Sequence, residues 1–370
     1  MAGNFAKLTP GERAVLRIVR QTQPCTQALI TSQLDITQQS ISRIVGSLSD
    51  QGLLHIGPPS SSGRRGKPSP TLSLNGSAAY AVGISIMADS VATGLIDFTG
   101  NLLSREVQII SGMELADVLH TIGKQLDSLL AKRSVSRGDV IGAGVAMTGY
   151  FMGRERRFNP PPALKHWMDT DVAGEVSRFL DLPTWADNDG NAAAIGEAAL
   201  GVGRRYRSFA YFYFSAGFGG GVIIDGKLMP GRFGNSGEFA AVLPYNIYAQ
   251  PNLESLRHCI SLRGTDLSSV HDLVTRFDPA WPGIDDWIAK VKDSLSLVAS
   301  SCSAILDTEA IVLGGLIPRA LAERIIPEME FYNMPRWGVS RPVPQILAAE
   351  APGEATLFGA ASMPLEHLYF

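Results

Sequence analysis

Three extended segments in succession, then an amphipathic helix, then a fourth extended segment: this order governs residues 79–147 and limits what the chain can become. Ala79–Ile86, Val91–Asp97 and Leu102–Ile110 read as strands, with Gly100-Asn101 as the turn between the last two. The helix that follows carries Leu115, Val118, Leu119, Ile122, Leu126 and Leu129 on one stripe. Val140–Met147 is an apolar strand that ends at Thr148-Gly149. A β-β-β-α-β order needs a sheet covered by helices, which excludes a helical bundle. The start of the pattern then recurs. Phe209–Ser215 and Gly220–Asp225 read as strands joined by Ala216-Gly217-Phe218-Gly219. An apolar helix around Ser294–Leu306, a strand Ala310–Leu313 ending in Gly314-Gly315, a strand near Gln345–Ala349 and an alanine-rich helix from near Glu354 complete it. Two such units with glycine turns predict a two-lobed α/β body.

Between them lies Trp185-Ala186-Asp187-Asn188-Asp189-Gly190-Asn191, followed by the helical run Ala192-Ala193-Ala194-Ile195-Gly196-Glu197. A strand-to-helix junction of this kind is where α/β folds place ligand groups. Asn188 offers donors and an acceptor and Asp189 a carboxylate, a pair suited to a polyhydroxylated ligand. An Asx-rich turn with an N-cap has the same composition, and the junction alone does not separate the two.

Charge is unevenly spread. Residues 1–75 hold Lys7, Arg13, Arg17, Arg20, Arg43, Arg64, Arg65 and Lys67 against Glu12, Asp35 and Asp50, a net of +5, which leaves −8 on the remainder of a chain whose total is −3. A basic head on an acidic body points to a small anion-binding module. Thr9-Pro10-Gly11-Glu12 reads as a helix start with a capping box. A second short helix spans 27–34, Asp35-Ile36-Thr37 is a turn, and Thr37 is placed to cap a third helix. That helix carries Ile41, Ile44, Val45 and Leu48 on one face and Gln38, Gln39, Ser42 and Arg43 on the other. The pattern is a helix-turn-helix, in which Gln can pair with adenine and Arg with guanine. Two short extended segments around a tip bearing Arg64, Arg65 and Lys67 look like a wing able to reach phosphates or a minor groove. A three-helix adaptor with a basic linker is the plainer reading. Cys25, Cys259 and Cys302 lie far apart, which argues against a disulfide framework and for a reducing cytoplasm. No apolar run reaches membrane-spanning length, and the N-terminus does not read as a signal peptide.

Residues 76–370 resemble the ROK family of sugar kinases and sugar-responsive repressors, and the head resembles that of its repressor branch. Asn188-Asp189-Gly190-Asn191 resembles the family's sugar-binding motif, and Ser236-Gly237-Glu238 its second sugar contact. Ser215–Gly221 is similar to a phosphate loop, Ile311–Gly315 to the adenosine motif and Phe358-Gly359-Ala360-Ala361 to the terminal helix. The resemblance implies a winged helix-turn-helix over 1–75, followed by a two-lobed actin/hexokinase-like ATPase fold. Its small lobe would take 76–187 with 354–370, and its large lobe 188–353. It also implies Asn188, Asp189, Glu238 and Glu254 as sugar contacts, with Gly149 and Asn159 aligned more loosely.

Departures from the family pattern carry the functional expectation. Family kinases end the first strand in an Asp-x-Gly-Gly-Thr type loop; the matching residues here are Ser85-Ile86-Met87-Ala88-Asp89-Ser90. Side chains at 87 and 88 obstruct backbone approach to phosphates, and Asp89 repels them, so ATP is not expected to bind tightly. The zinc segment is also missing. Ala241 stands where the family has His, 244–252 holds neither Cys nor His, and His258-Cys259 is poorly spaced for one metal, so no zinc or other metal is expected. In the kinases the residue matching Asp189 is the general base, which has no reaction to drive without a bound phosphoryl group. The expectation is therefore a sugar-responsive regulator, not an enzyme, binding double-stranded operator DNA and a sugar as a homodimer or tetramer. The alternatives are an ATP-dependent sugar kinase with an accessory DNA-binding head, and a DNA-bound scaffold with a vestigial cleft.

Overall fold

The computed structural model describes residues 8–22, 24–60, 69–110, 112–153, 157–351 and 355–370. The head consists of α1 (Pro10–Gln21), β1 (Cys25–Thr26), α2 (Gln27–Gln33), α3 (Gln38–Asp50), β2 (Leu54–Ser60) and β3 (Ser69–Leu74), with sheet order β1-β3-β2. The capping box forms: Glu12 accepts the Thr9 N–H at 2.8 Å while Thr9 Oγ1 accepts the Glu12 N–H at 3.3 Å. Thr37 Oγ1 accepts the Ser40 N–H at 3.3 Å and so starts α3.

The body begins with β4 (Tyr80–Ile86), β5 (Ser90–Asp97), β6 (Leu102–Ile109), α4 (Leu115–Arg133) and β7 (Val140–Met147). A two-stranded ribbon of β8 (Tyr150–Met152) and β9 (Arg157–Asn159) follows, then α5 (Val172–Leu180) and β10 (Thr184–Asn188). Next come α6 (Asp189–Leu200), β11 (Phe209–Phe214), β12 (Phe218–Ile224), β13 (Lys227–Leu228), α7 (Leu253–Ser261), α8 (Val270–Thr275) and α9 (Ile284–Ile305). The chain ends through β14 (Ala310–Gly315), α10 (Arg319–Ile325), β15 (Gln345–Ala348) and α11 (Ala355–Leu368). The two large sheets are ordered β10-β7-β4-β5-β6 and β13-β12-β11-β14-β15. Each opens with an antiparallel hairpin, β4–β5 or β11–β12, and then adds a parallel strand, β7 or β14, to the other side of its first strand. The repeated start seen in the sequence is a repeated sheet topology.

Two expected boundaries move. Strand β12 starts at Phe218 rather than at Gly220, so the turn shrinks to Ser215-Ala216-Gly217. Its glycines are there for packing: a Cβ on Gly220 would stand 1.8 Å from Tyr211 O, and one on Gly221 2.7 Å from the Ala194 Cβ. Helix α9 starts ten residues before Ser294, because Trp287, Ile288 and Val291 extend its buried face while charged residues on its outer face hide that periodicity.

Helix α11 binds the parts together. Glycines let it approach β4 and β7, since a Cβ on Gly83 would meet Leu357 O at 2.2 Å and one on Gly144 would meet Ala360 O at 1.8 Å. It also crosses α6 at small residues, with a Cβ on Gly359 falling 1.8 Å from Ala192 O. Its C-terminal end meets the head. Phe98 of the body packs against Tyr369 and Phe370 at ring separations of 5.0 and 5.6 Å, within a cluster that also contains Val15, Leu16 and Val19 of α1. Arg20 lies 2.6 Å from Glu366 and over the Phe370 ring, Arg13 donates to His367 O at 3.4 Å, and Arg17 donates to Phe370 O. Three of the head's basic side chains therefore face the body. The head's +5 overstates the charge it can offer to DNA.

Candidate functional site

Gly149, Asn159, Asn188, Asp189, Glu238 and Glu254 all line one cleft of about 920 Å³. Its walls are the turns after β4, β7 and β11 and the β10–α6 junction, so it lies at the C-terminal ends of parallel strands.

Asn188 is both cap and wall. Its Oδ1 accepts the N–H groups of Gly190 at 2.7 Å and Asn191 at 3.3 Å, while its Nδ2 donates to Gly149 O at 2.6 Å. Asn188 is thus the N-cap of α6 and also lines the cleft, with one N–H of Nδ2 not used by these bonds. Gly149 has φ +135°, and a Cβ there would stand 2.8 Å from Asn159 O. Only glycine lets this carbonyl reach Asn188. Asn159 itself donates to the Tyr150 hydroxyl.

Asp189 is 4% exposed, and its carboxylate accepts from Thr148 Oγ1 at 2.7 Å and from the Gly190 N–H at 3.0 Å. Burial raises its pKa against the pull of those two bonds. The Glu238 carboxylate has no hydrogen-bond partner among the described residues, and its pKa is raised to about 7, by burial first and by the Asp189 charge second. The folded chain therefore keeps a proton on Glu238 up to about pH 7 that the unfolded chain releases near 4.5. This contribution to stability is complete below pH 4.5 and is lost as pH rises to 7. Relative to Glu238→Gln, the wild type should lose up to about 3 kcal/mol of unfolding free energy between pH 4.5 and 7.5, measured by urea denaturation.

Two neighbours were not anticipated from the sequence. Arg257 donates from Nε to Glu254 Oε1 at 3.0 Å and from Nη1 to Leu267 O at 2.7 Å, which pairs one cleft carboxylate with a cation. Its spacing of three from Glu254 on a helix was the available signal. Asn235 exchanges two hydrogen bonds with the Phe151 backbone, at 2.8 and 2.9 Å, and so ties the loop bearing Glu238 to the β8–β9 ribbon.

On the phosphate side Met87, Ala88 and Asp89 line the same cleft, in a turn closed by the Met87 N–H donating to Ser90 O at 2.9 Å. Ser85 is buried with its hydroxyl unpartnered among the described residues. Gly217 faces open space, whereas Gly314 and Gly315 are held against the Tyr211 ring and hydroxyl, which accepts the Gly315 N–H at 2.8 Å. On α7, His258 is exposed and Cys259 buried, so the pair lies on different sides of the helix.

On the head, Gln38, Gln39, Ser42 and Arg43 are exposed along α3 while Ile41, Val45 and Leu48 are buried. Arg64, Arg65 and Lys67 lie outside the described residues.

The ROK family pattern matches residues 81–245, and the MarR family pattern matches 6–65. A crystallised ROK family transcriptional regulator, a homolog of the E. coli MLC protein, superposes over 97% of this chain and 96% of its own at a TM-score of 0.69 and 16% identity. The chain carries a ROK family domain behind a MarR-type winged-helix domain. Its fold is a winged-helix head on an actin/hexokinase-like body. It is 24% identical to the uncharacterized protein y4fQ of Sinorhizobium fredii, over 98% of this chain and 93% of that one. It is also 24% identical to the xylose repressor of Bacillus spizizenii, over 61% of this chain and 58% of the repressor. No helix among the described residues is long and apolar enough to cross a membrane.

Proposed function

We propose that this protein is a sugar-responsive, DNA-binding transcriptional regulator, a repressor, whose kinase-like body senses a sugar without phosphorylating it. The observation that carries the reading is the shared cleft. It gathers Asn188, Asp189, Glu238 and Glu254, while the turn that would cradle ATP phosphates presents Met87, Ala88 and Asp89. The exposed polar face of α3 and the likeness to a xylose repressor support the DNA-binding half. Sugar hydroxyls would donate to the carboxylates, each such bond contributing about 1.5–3 kcal/mol. Four carboxylates against one guanidinium, itself held by Glu254, favour an uncharged sugar over its phosphate ester. The partners proposed are double-stranded operator DNA, read by Gln38, Gln39, Ser42 and Arg43 with Arg64, Arg65 and Lys67 on the wing, and a second copy of the chain.

The route from cleft to head runs along α6, whose first residue is Asp189, to α11 packed across it, and on to α1. Ligand contacts that shift α6 would reach the head through Arg17, Arg20 and the C-terminal rings. An Arg17→Ala/Arg20→Ala protein should keep its operator affinity and its stabilisation by sugar, while the sugar effect on operator affinity falls at least about fivefold. Fluorescence anisotropy of labelled operator, with and without sugar, measures this. The reading itself is tested by gel shifts on DNA upstream of this gene and its neighbours, across a panel of sugars. No specific shift with any fragment would sink it.

One feature favours a sugar kinase instead: Asp189 has the raised proton affinity of a base and stands near the open Gly217 turn. Coupled ADP release over the same sugars, abolished in Asp189→Ala, would replace the sensor reading with that one.

A further inference from the structure

A second cavity, of about 190 Å³, opens beside the turn between β4 and β5, with walls from both lobes. The strand register sets its floor. Ser85 pairs with Ala92 and Ala92 with Val107, so the three stand in one row across β4, β5 and β6. Arg105 is two residues from Val107 on the edge strand β6 and therefore lies on the same face. The small Ala92 in the middle of the row leaves a trough between Ser85 and the edge strand. Leu357, in the first turn of α11, closes one end, since a Cβ on Gly94 would stand 2.6 Å from its Cδ2. The opposite wall belongs to the large lobe: Gly315 and Leu316 after β14, and Ala349 after β15.

The chemistry of this cavity is the reverse of the sugar cleft's. Arg105 and His271 line it, and no aspartate or glutamate among the described residues does. The Glu197 carboxylate, which acts on the Tyr211 hydroxyl in the cavity wall, accepts the N–H groups of Val202, Glu350 and Ala351 instead. The Ser85 hydroxyl is buried, with the residue 3% exposed, and has no hydrogen-bond partner among the described residues. Such a group costs stability until something completes it. Helix α11 runs 14 residues from Ala355, and its first turn brings the positive end of its dipole to the same cavity. The volume equals about six waters at about 30 Å³ each, which suits an organic ligand of about six to ten non-hydrogen atoms. That is too small for a nucleotide, and the glycine turn after β11 lines the sugar cleft and not this cavity.

We propose that this cavity binds a small organic acid, a second ligand distinct from the sugar. Its carboxylate would take the Arg105 guanidinium, and a hydroxyl or keto oxygen at its other end the Ser85 hydroxyl. Because the walls belong to both lobes, the acid would join them. Met87, Ser90, His271 and Leu316 line both cavities and would carry its effect to the sugar cleft.

Calorimetric titration of the full chain tests the proposal, with pyruvate, lactate, malate and 2-oxoglutarate added one at a time and sodium sulfate as the control anion. At least one acid should bind more than about tenfold tighter than sulfate, and the neutral lactamide should not bind. Arg105→Gln should weaken the best acid at least about tenfold. Ser85→Ala should weaken it at least about threefold yet melt no lower than the wild type without ligand, because the removed hydroxyl has no partner to lose. The titrations contain no sugar, so their outcome is independent of the sugar reading. No acid bound above sulfate, measurable binding of lactamide, or an affinity unchanged in Arg105→Gln or in Ser85→Ala would each overturn the assignment.

Discussion

Asp189→Asn should melt at a higher temperature than the wild type without ligand and should lose its response to sugar. The Asp189 carboxylate is almost fully buried, and among the described residues the Thr148 hydroxyl and nearby backbone N–H groups compensate part of the loss of water. Its raised pKa records the resulting cost of keeping it charged. An amide of the same shape removes that cost, and the Thr148 hydroxyl can turn to accept from it. The unliganded protein should gain on the order of 1 kcal/mol, the usual sign of a group placed for binding and not for stability. Two charge-assisted bonds to sugar hydroxyls would be lost or weakened, which corresponds to about 100-fold in affinity. Scanning fluorimetry and calorimetric titration measure the two halves, and a variant less stable than the wild type that still binds sugar would contradict both.

Gly359→Val should abolish stable folding. A Cβ at 359 would lie 1.8 Å from Ala192 O, with the rest of the α6 backbone close behind, so neither helix can yield by turning a side chain. Moving α11 away from α6 also separates it from β4 and β7, where Gly83 and Gly144 admit it at similar range. A loss of more than about 4 kcal/mol is expected in urea denaturation. Gly217→Ala, where no atom lies within 4 Å of the added carbon, should change stability by less than about 1 kcal/mol. Equal losses in the two variants would refute the role given to the α6–α11 contact.

Much of this was legible before any coordinates. The strands β4, β5 and β7 and the helix α4 were readable because at least one face of each is buried almost continuously, so apolar pattern marks them. Asn188, Asp189 and Glu238 were readable because each sits in a short polar group at the end of an apolar run. What escaped depended on tertiary approach. Phe218-Gly219 looks like part of the turn by propensity, yet both are strand because they pair with Phe214 and Tyr213 across the hairpin. Arg13, Arg17 and Arg20 look like part of a DNA-binding charge until α11 is seen to receive them. Arg257 pairs with Glu254 one helical turn away, a contact visible in spacing but not in sign of purpose.

The most direct test is operator affinity measured by anisotropy as a function of sugar, for the wild type and Asp189→Asn side by side. The account predicts a change of at least about tenfold in the wild type at saturating sugar, none in the variant, and no ADP formed in either when ATP is present. An operator affinity indifferent to every sugar that binds, or sugar-dependent ADP release by the wild type, would contradict it.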